Sequence, residues 1–259
     1  VTVAIPGKIA LSHEEIEAAI TGVQLTGWIA IILLAVVLIC GVRSAKIIAA
    51  IFLLLICGTI WTSAYAMLAV GEYNTLSIVF LVMFFGLGVD FSIHYSLSYQ
   101  ESTNQTQSPE KAVQSATTNV GRAIAICSVT TTLGFLGFWP TDYQGLADLG
   151  VISAGGMLIA CFLTFTLLPA FFNLAGHPRI QKMSLNHGER IVTWLIHQRR
   201  GVVFLLFGLT LGAIYLSTKA HFDYSVMALR DPQSESMRTH QLLQDDGIAT
   251  DYALSILTD

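Results

Sequence analysis

The residue best placed to do chemistry in this sequence is a carboxylate where a carboxylate is costly. Asp90 lies inside the apolar run Leu76–Leu97, within Gly86-Leu87-Gly88-Val89-Asp90-Phe91-Ser92-Ile93-His94-Tyr95. An aspartate near the centre of a membrane helix costs about 2.5–3.5 kcal/mol on insertion scales, so it must face protein or water. Desolvation favours its neutral form, and a group that alternates between neutral and charged inside a membrane can carry a proton. His94 follows four residues later, on the same face if the run is helical, and an imidazole can take up and release a proton. Thr130 and Thr131, with Ser128 and Thr132, bring hydroxyls to the middle of the next apolar run. They can bond the carboxylate or line a short water wire; the same hydroxyls serve equally as glue between helices. Gly86, Gly88 and Gly134 remove side chains beside the carboxylate and its neighbours, so that another helix can approach closely.

No other apolar run holds an acidic residue near its centre. Asp148 lies toward an outer end. An intramembrane aspartyl protease, which the Gly-x-Gly before Asp90 brings to mind, needs a second carboxylate to share the proton work. In such proteases the Asp directly follows the second Gly, whereas Val89 intervenes here. There is no glycine-rich phosphate loop ending in Lys-Ser/Thr, and so no support for ATP-driven transport within this sequence. The four cysteines, Cys40, Cys57, Cys127 and Cys161, all fall in apolar runs without metal-ligand spacing and read as small hydrophobes. No metal site, no catalytic group, no cofactor beyond a proton gradient and no nucleic-acid partner is expected.

The elements that must hold Asp90 are membrane helices. Only 12% of the 259 residues are charged and 54% are hydrophobic, where soluble domains carry about 25% charged residues. Six stretches meet or approach the roughly 20 apolar residues that a crossing helix needs: Thr21–Val42, Ile47–Val70, Leu76–Leu97, Ala123–Phe138, Gly145–Phe172 and Gly201–Ser217. The fifth is long enough to tilt, or to end in an interfacial turn at Pro169. We therefore expect an all-α polytopic membrane protein. Arg43 and Lys46 lie between the first two spans, Lys111 and Arg122 between the third and fourth, and Arg179, Lys182, Arg190, Arg199 and Arg200 between the last two. The connections Gly71–Thr75 and Trp139–Gln144 carry no Lys or Arg. Because basic loops stay in the cytoplasm, both ends of the sequence are expected on the opposite side.

The flanks are more polar. Ser12-His13-Glu14-Glu15 is a capping-box pattern that predicts a short helix starting at Ser12, after a strand over Val1–Ile5 and a turn at Pro6-Gly7. His221–Asp259 contains a turn signal at Asp231-Pro232 and a helix around Glu235–Leu243. The sequence starts at Val1 and reads as a segment of a longer chain, with the edge of an extracytoplasmic domain at each end. Ser108-Pro109-Glu110 predicts a helix start with Ser as N-cap and Pro at the first helical position. The apolar residues that follow, Ala112, Val113, Ala116 and Val120, fit either an amphipathic helix flat on the membrane or a plain linker. Glu189–His197 reads the same way.

The run from Gly86 to Tyr95 resembles the fourth-helix signature of the resistance-nodulation-division (RND) superfamily, with its best likeness in the MMPL and hopanoid-transporter branches. Ala112, Ala116, Gly121-Arg122-Ala123-Ile124 and Thr131-Thr132-Leu133-Gly134-Phe135 are similar to that family's linker helix and fifth helix. Phe222-Asp223 and Leu229-Arg230-Asp231-Pro232-Gln233-Ser234-Glu235-Ser236 resemble the entry to a second periplasmic domain. Gly7 and Ala10-Leu11-Ser12-His13-Glu14-Glu15 resemble the end of a first one.

The resemblance implies a six-helix half of an RND-type transmembrane domain, helices two to seven of the whole, with edges of α/β porter domains at both termini. Residues 1–20 would end the first periplasmic domain, 21–217 form the membrane domain and 218–259 begin the second. It implies proton-motive-force-driven export of hopanoid-like lipids or other hydrophobic molecules from the bacterial inner membrane, with both ends of the segment periplasmic. Asp90 would be the relay carboxylate, with its partners in the missing second half of the chain. The family's common Asp-Tyr pair is Asp90-Phe91 here, which takes a phenol out of the relay. Membrane lipids and a lipid or hydrophobic small-molecule substrate are the implied partners, with a homodimer or homotrimer as the assembled form. The likeness of these helices to the sterol-sensing unit of eukaryotic relatives keeps open a lipid-binding regulatory module that does not pump.

Overall fold

The computed structural model describes residues 8–42, 44–71, 75–105, 108–175 and 197–219. They form six helices, and no strand occurs among them. These are α1 (Lys8–Gly41), α2 (Ala45–Ala69), α3 (Thr75–Gln105), α4 (Pro109–Leu136), α5 (Gln144–Ala175) and α6 (Arg199–Ser217). Five stretches of the described residues are long and apolar enough to cross a membrane: Thr21–Gly41, Ala45–Ala69, Pro109–Leu136, Gln144–Leu174 and Arg199–Ser217. The sixth expected span, 76–97, lies within α3, an unbroken helix of 31 residues. The chain is thus an all-α polytopic membrane protein. Of the domain edges expected at 1–20 and 218–259, residues 1–7 and 220–259 lie outside the described residues, as does the amphipathic segment up to residue 196, while 8–20 belong to α1.

Three local expectations change. The helix predicted to start at Ser12 is not separate, because α1 already runs at Lys8 and continues to Gly41. Glu14 to Ala19 are mostly good helix formers, and neither Pro nor Gly interrupts the chain until Gly22. The segment after Ser108 is not an interfacial helix lying apart from the bundle. Its start is as predicted, with Ser108 as the extended N-cap residue and Pro109 just inside. It then continues without a break into the fourth span, and Ala112 and Ala116 are fully buried. Nor does α5 end at Pro169, which sits inside the helix. Proline lacks an amide hydrogen and so forfeits one backbone bond, but the packing of Leu168 and Phe172 on either side of it, both buried, holds the helix line.

The chain divides into two compact units, one of residues 16–181 and one holding the remaining residues with α6. In the first, α5 is the central element and packs on α2, α3 and α4. Its small residues set the spacing. A Cβ on Gly156 would stand 2.8 Å from the Phe80 ring of α3 and 3.1 Å from the Thr62 methyl of α2. A Cβ on Gly155 would run into the Tyr65 ring. Gly58 of α2 admits Phe84 of α3 in the same manner, with a Cβ there 2.7 Å from the ring. Ile47, Ile51, Leu54 and Leu55 of α2 fill the rest of the interior. At the other end of the unit, Tyr99 stacks on Phe172 at 4.3 Å between ring centroids. α1 joins this core only near its end, through Leu34, Leu38 and Val42. The turn after α2 closes at Gly71, whose φ of 93° lies in the left-handed region that glycine enters without strain. The α6 helix is a 19-residue apolar segment that starts from Arg199 and Arg200.

Candidate functional site

The helix that carries Asp90 has two unlike faces. Phe80, Phe84, Gly88, Ser92, Tyr95, Tyr99 and Ser102 recur at three- and four-residue spacing, and all are buried. Met83, Gly86, Asp90, His94, Leu97 and Glu101 recur with the same spacing on the other side, and all but the half-filled margins of that stripe are open; each of these six is exposed or, at Gly86, free of any contact. Asp90 and His94 therefore stand one turn apart on one face, as their spacing predicts. That face is not covered by any described residue of the 16–181 unit, and Asp90 makes no hydrogen bond or ion pair with a described residue.

The two glycines before Asp90 do different things. Gly88 turns inward, where a Cβ would touch Phe84 at 3.4 Å and Leu55 of α2 at 3.6 Å. Gly86 lies on the open face, with nothing within 4 Å of a Cβ placed there. Gly134 on α4 is equally open. Gly86 thus leaves the surface one turn from the carboxylate open, whereas Gly134, expected beside it, stands about 15 Å along α4 from the level of Asp90 by the register described next.

The register of α3 against α4 fixes where Thr130 and Thr131 stand. Tyr95 and Thr117 share a hydrogen bond of 2.9 Å between their hydroxyls, Ser102 Oγ donates to Ser115 Oγ at 3.1 Å, and Phe80 meets Phe135 edge-on at 6.0 Å. Along this antiparallel pair Asp90 comes level with the residues just after Arg122. Thr130 and Thr131 lie roughly 10 Å further along α4, from a rise of 1.5 Å per residue. The Thr130 hydroxyl is bonded within its own helix, at 3.0 Å from the carbonyls of both Ile126 and Cys127. Thr131 is half-buried. The structure brings Asp90 and His94 together, then, and sets the two threonines one to two turns away.

Sequence reasoning passed over the hydroxyl seam on the buried side of α3. Ser92, Tyr95, Ser96, Tyr99 and Ser102 lie on that side, and the signal was the same helical spacing that singled out Asp90 and His94. Asp148 lies in the second turn of α5, toward a span end as expected. It is only 8% exposed and accepts a hydrogen bond from Gln144 Nε2 at 2.9 Å. Among the described residues no cluster of His, Cys, Asp or Glu could hold a metal ion.

The sequence profile of the MMPL family matches residues 1–202. The chain is 32% identical over 244 residues to the hopanoid transporter HpnN of Burkholderia multivorans, covering 94% of this chain and 28% of that protein. It is 32% identical over 246 residues to the hopanoid transporter HpnN of Rhodopseudomonas palustris, again covering 94% of this chain and 28% of the relative. A shorter match, 31% over 101 residues, links 39% of the chain to 9% of the sulfolipid-1 exporter MmpL8 of Mycobacterium tuberculosis. The chain spans somewhat over a quarter of the length of the hopanoid transporters it matches. With a family match that runs across residues 1–202, the chain belongs to the MMPL family.

Proposed function

We propose that this chain is one half of the membrane domain of a proton-driven exporter of hopanoid-like lipids or other hydrophobic molecules. One observation carries the reading: the single mid-span carboxylate, Asp90, stands on an uncovered face of α3 while the opposite face of that helix is closed by α2, α4 and α5. A carboxylate there is tolerable only if protein or water surrounds it. The occupant we infer is the second half of the same chain, laid against Gly86, Asp90 and His94. His94, one turn away, passes the proton toward the cytoplasm. Thr130 and Thr131 extend the polar path along α4 through water rather than by direct bonds.

Protonation of Asp90 removes its charge and changes which packing of the two halves is favoured. The potential supplies about 2.3 kcal/mol per charge per 100 mV, enough to bias a conformational equilibrium of a few kcal/mol. That change would move the periplasmic domains flanking this segment, residues 1–20 at one end and 218–259 at the other. The protein would then sit in the bacterial inner membrane with both ends of the segment periplasmic, as its Lys and Arg distribution supports. It is a secondary transporter in this reading, not an enzyme.

The test is Asp90→Asn in the full-length protein reconstituted in liposomes, with lipid extraction measured under an imposed proton gradient. We expect energised flux to be lost while lipid binding and folding persist. Flux that stays coupled to the gradient in this variant overturns the relay. Binding that persists in a wild-type protein showing no gradient-dependent flux would favour the sterol-sensing kind of module.

A further inference from the structure

Most threonines in these helices satisfy their hydroxyls on their own backbone. Thr59, Thr103, Thr117, Thr118, Thr164 and Thr166 each donate to the carbonyl four residues earlier, at 2.8–2.9 Å. Thr132 of α4 does not, and neither does Ser153 of α5. Both are buried, at 7% and 0% exposure, and neither Oγ has a hydrogen-bond partner among the described residues.

The two hydroxyls belong to one place. Ser128 Oγ donates to the Met157 carbonyl across the α4–α5 seam at 3.4 Å. Further along, the Phe135 carbonyl lies so close to Gly150 that a Cβ there would stand 2.6 Å from it. In this antiparallel register position 132, between 128 and 135, comes level with position 153, between 157 and 150. Ser128, Thr132 and Phe135 share one face of α4, and Gly150, Ser153 and Met157 share one face of α5. Thr132 and Ser153 therefore face each other across the seam without bonding to each other. Thr62 of α2 adds a third buried hydroxyl without a described partner, beside Gly156 one turn along α5.

A buried hydroxyl in a membrane interior has no bulk water to turn to, and leaving it unsatisfied is costly. Two that face each other beyond bonding distance meet the requirement for an ordered water, which takes two to four polar partners. We propose that Thr132 and Ser153 bind a water molecule between α4 and α5, an internal hydration site. The bridge ties α4 to the central helix through a contact that can be remade after a small slip of one helix past the other. The site does not depend on the export reading.

Radiolytic footprinting of the full-length protein in nanodiscs tests this directly, because X-rays make hydroxyl radicals from bound water in place. Met157 is 1% exposed, so bulk radicals do not reach it. We expect prompt oxidation of Met157 in the wild type and a several-fold loss of it in the Thr132→Val/Ser153→Ala double variant, with labelling of water-exposed residues unchanged. Wild-type Met157 that stays unlabelled, or labelling that survives the double substitution, overturns the site. A thermal-unfolding cycle gives an independent answer. A bridging water makes each single substitution destabilising and the double partly restored, whereas two orphaned hydroxyls make each single substitution stabilising and the pair additive.

Discussion

Tyr99 of α3 lies almost flat on Phe172 of α5, with ring planes 10° apart and both side chains fully or nearly fully buried. Its phenol oxygen has no hydrogen-bond partner among the described residues. The ring, not the hydroxyl, is what holds α3 to the end of α5. Phe172→Ala should therefore destabilise the protein on the order of 3 kcal/mol, the low end for emptying an aromatic site. Tyr99→Phe should be neutral or mildly stabilising, since it removes an unbonded polar atom and keeps the stack. Unfolding of both variants in a denaturant series in detergent checks the contrast, and equal losses would mean the hydroxyl has a partner.

The glycines divide in the same way, by what stands next to them. Gly155→Ala and Gly156→Ala put a methyl group into the Tyr65 and Phe80 rings respectively, and overpacking of this kind costs about 1–3 kcal/mol. Gly134→Ala and Gly86→Ala meet nothing within 4 Å. In the isolated unit they should be neutral or gain up to roughly 1 kcal/mol of helix propensity. A bulky residue at 86 should leave folding of this half intact yet abolish export if, as proposed above, the second half closes over that face. Thermal shift and flux assays on the same variants separate the two effects.

Much of this arrangement was legible before any coordinates. Apolar runs announce the helices, because lipid allows few other backbone structures. The pairing of Asp90 with His94 follows from a spacing of four. What spacing does not show is depth and register between helices. Thr130 looks like a neighbour of Asp90 when spans are drawn side by side, but the Tyr95–Thr117 bond and the Phe80–Phe135 contact set α4 further along. Helix ends were misjudged where hydropathy changes but helix propensity does not, as at Ser12 and after Ser108. Pro169 reads as a stop by its own chemistry and is overruled by the packing of its neighbours.

The Tyr95–Thr117 bond, which with Ser102–Ser115 ties α3 to the first half of α4, is unusual in what it leaves behind. Thr117 also donates to the Val113 carbonyl at 2.9 Å, so its hydroxyl must accept from Tyr95. Tyr95→Phe therefore strands no donor, and the loss should be about 1 kcal/mol. Thr117→Val leaves the buried Tyr95 hydroxyl without its acceptor and should cost more, up to about 3 kcal/mol. A double-mutant cycle in which the pair loses no more than Thr117→Val alone would confirm the direction of donation. Equal single losses would reverse it.

The open face of α3 makes a ranking that no single substitution supplies. Asp90 bonds to no described residue, so Asp90→Asn should leave the thermal stability of this half unchanged while ending energised export. His94→Gln keeps a polar side chain of similar reach but cannot change its charge near neutral pH, and should slow export without ending it. Thr130→Val removes a hydroxyl already committed to the Ile126 and Cys127 carbonyls and distant from Asp90, and should have the smallest effect of the three. Flux under a fixed proton gradient, measured for the three variants beside the wild type, gives the order. If Thr130→Val were as damaging as Asp90→Asn with folding intact, α4 would have to slide by a turn or more during the cycle to bring its hydroxyl to the carboxylate, and the register seen here would be one of two working states.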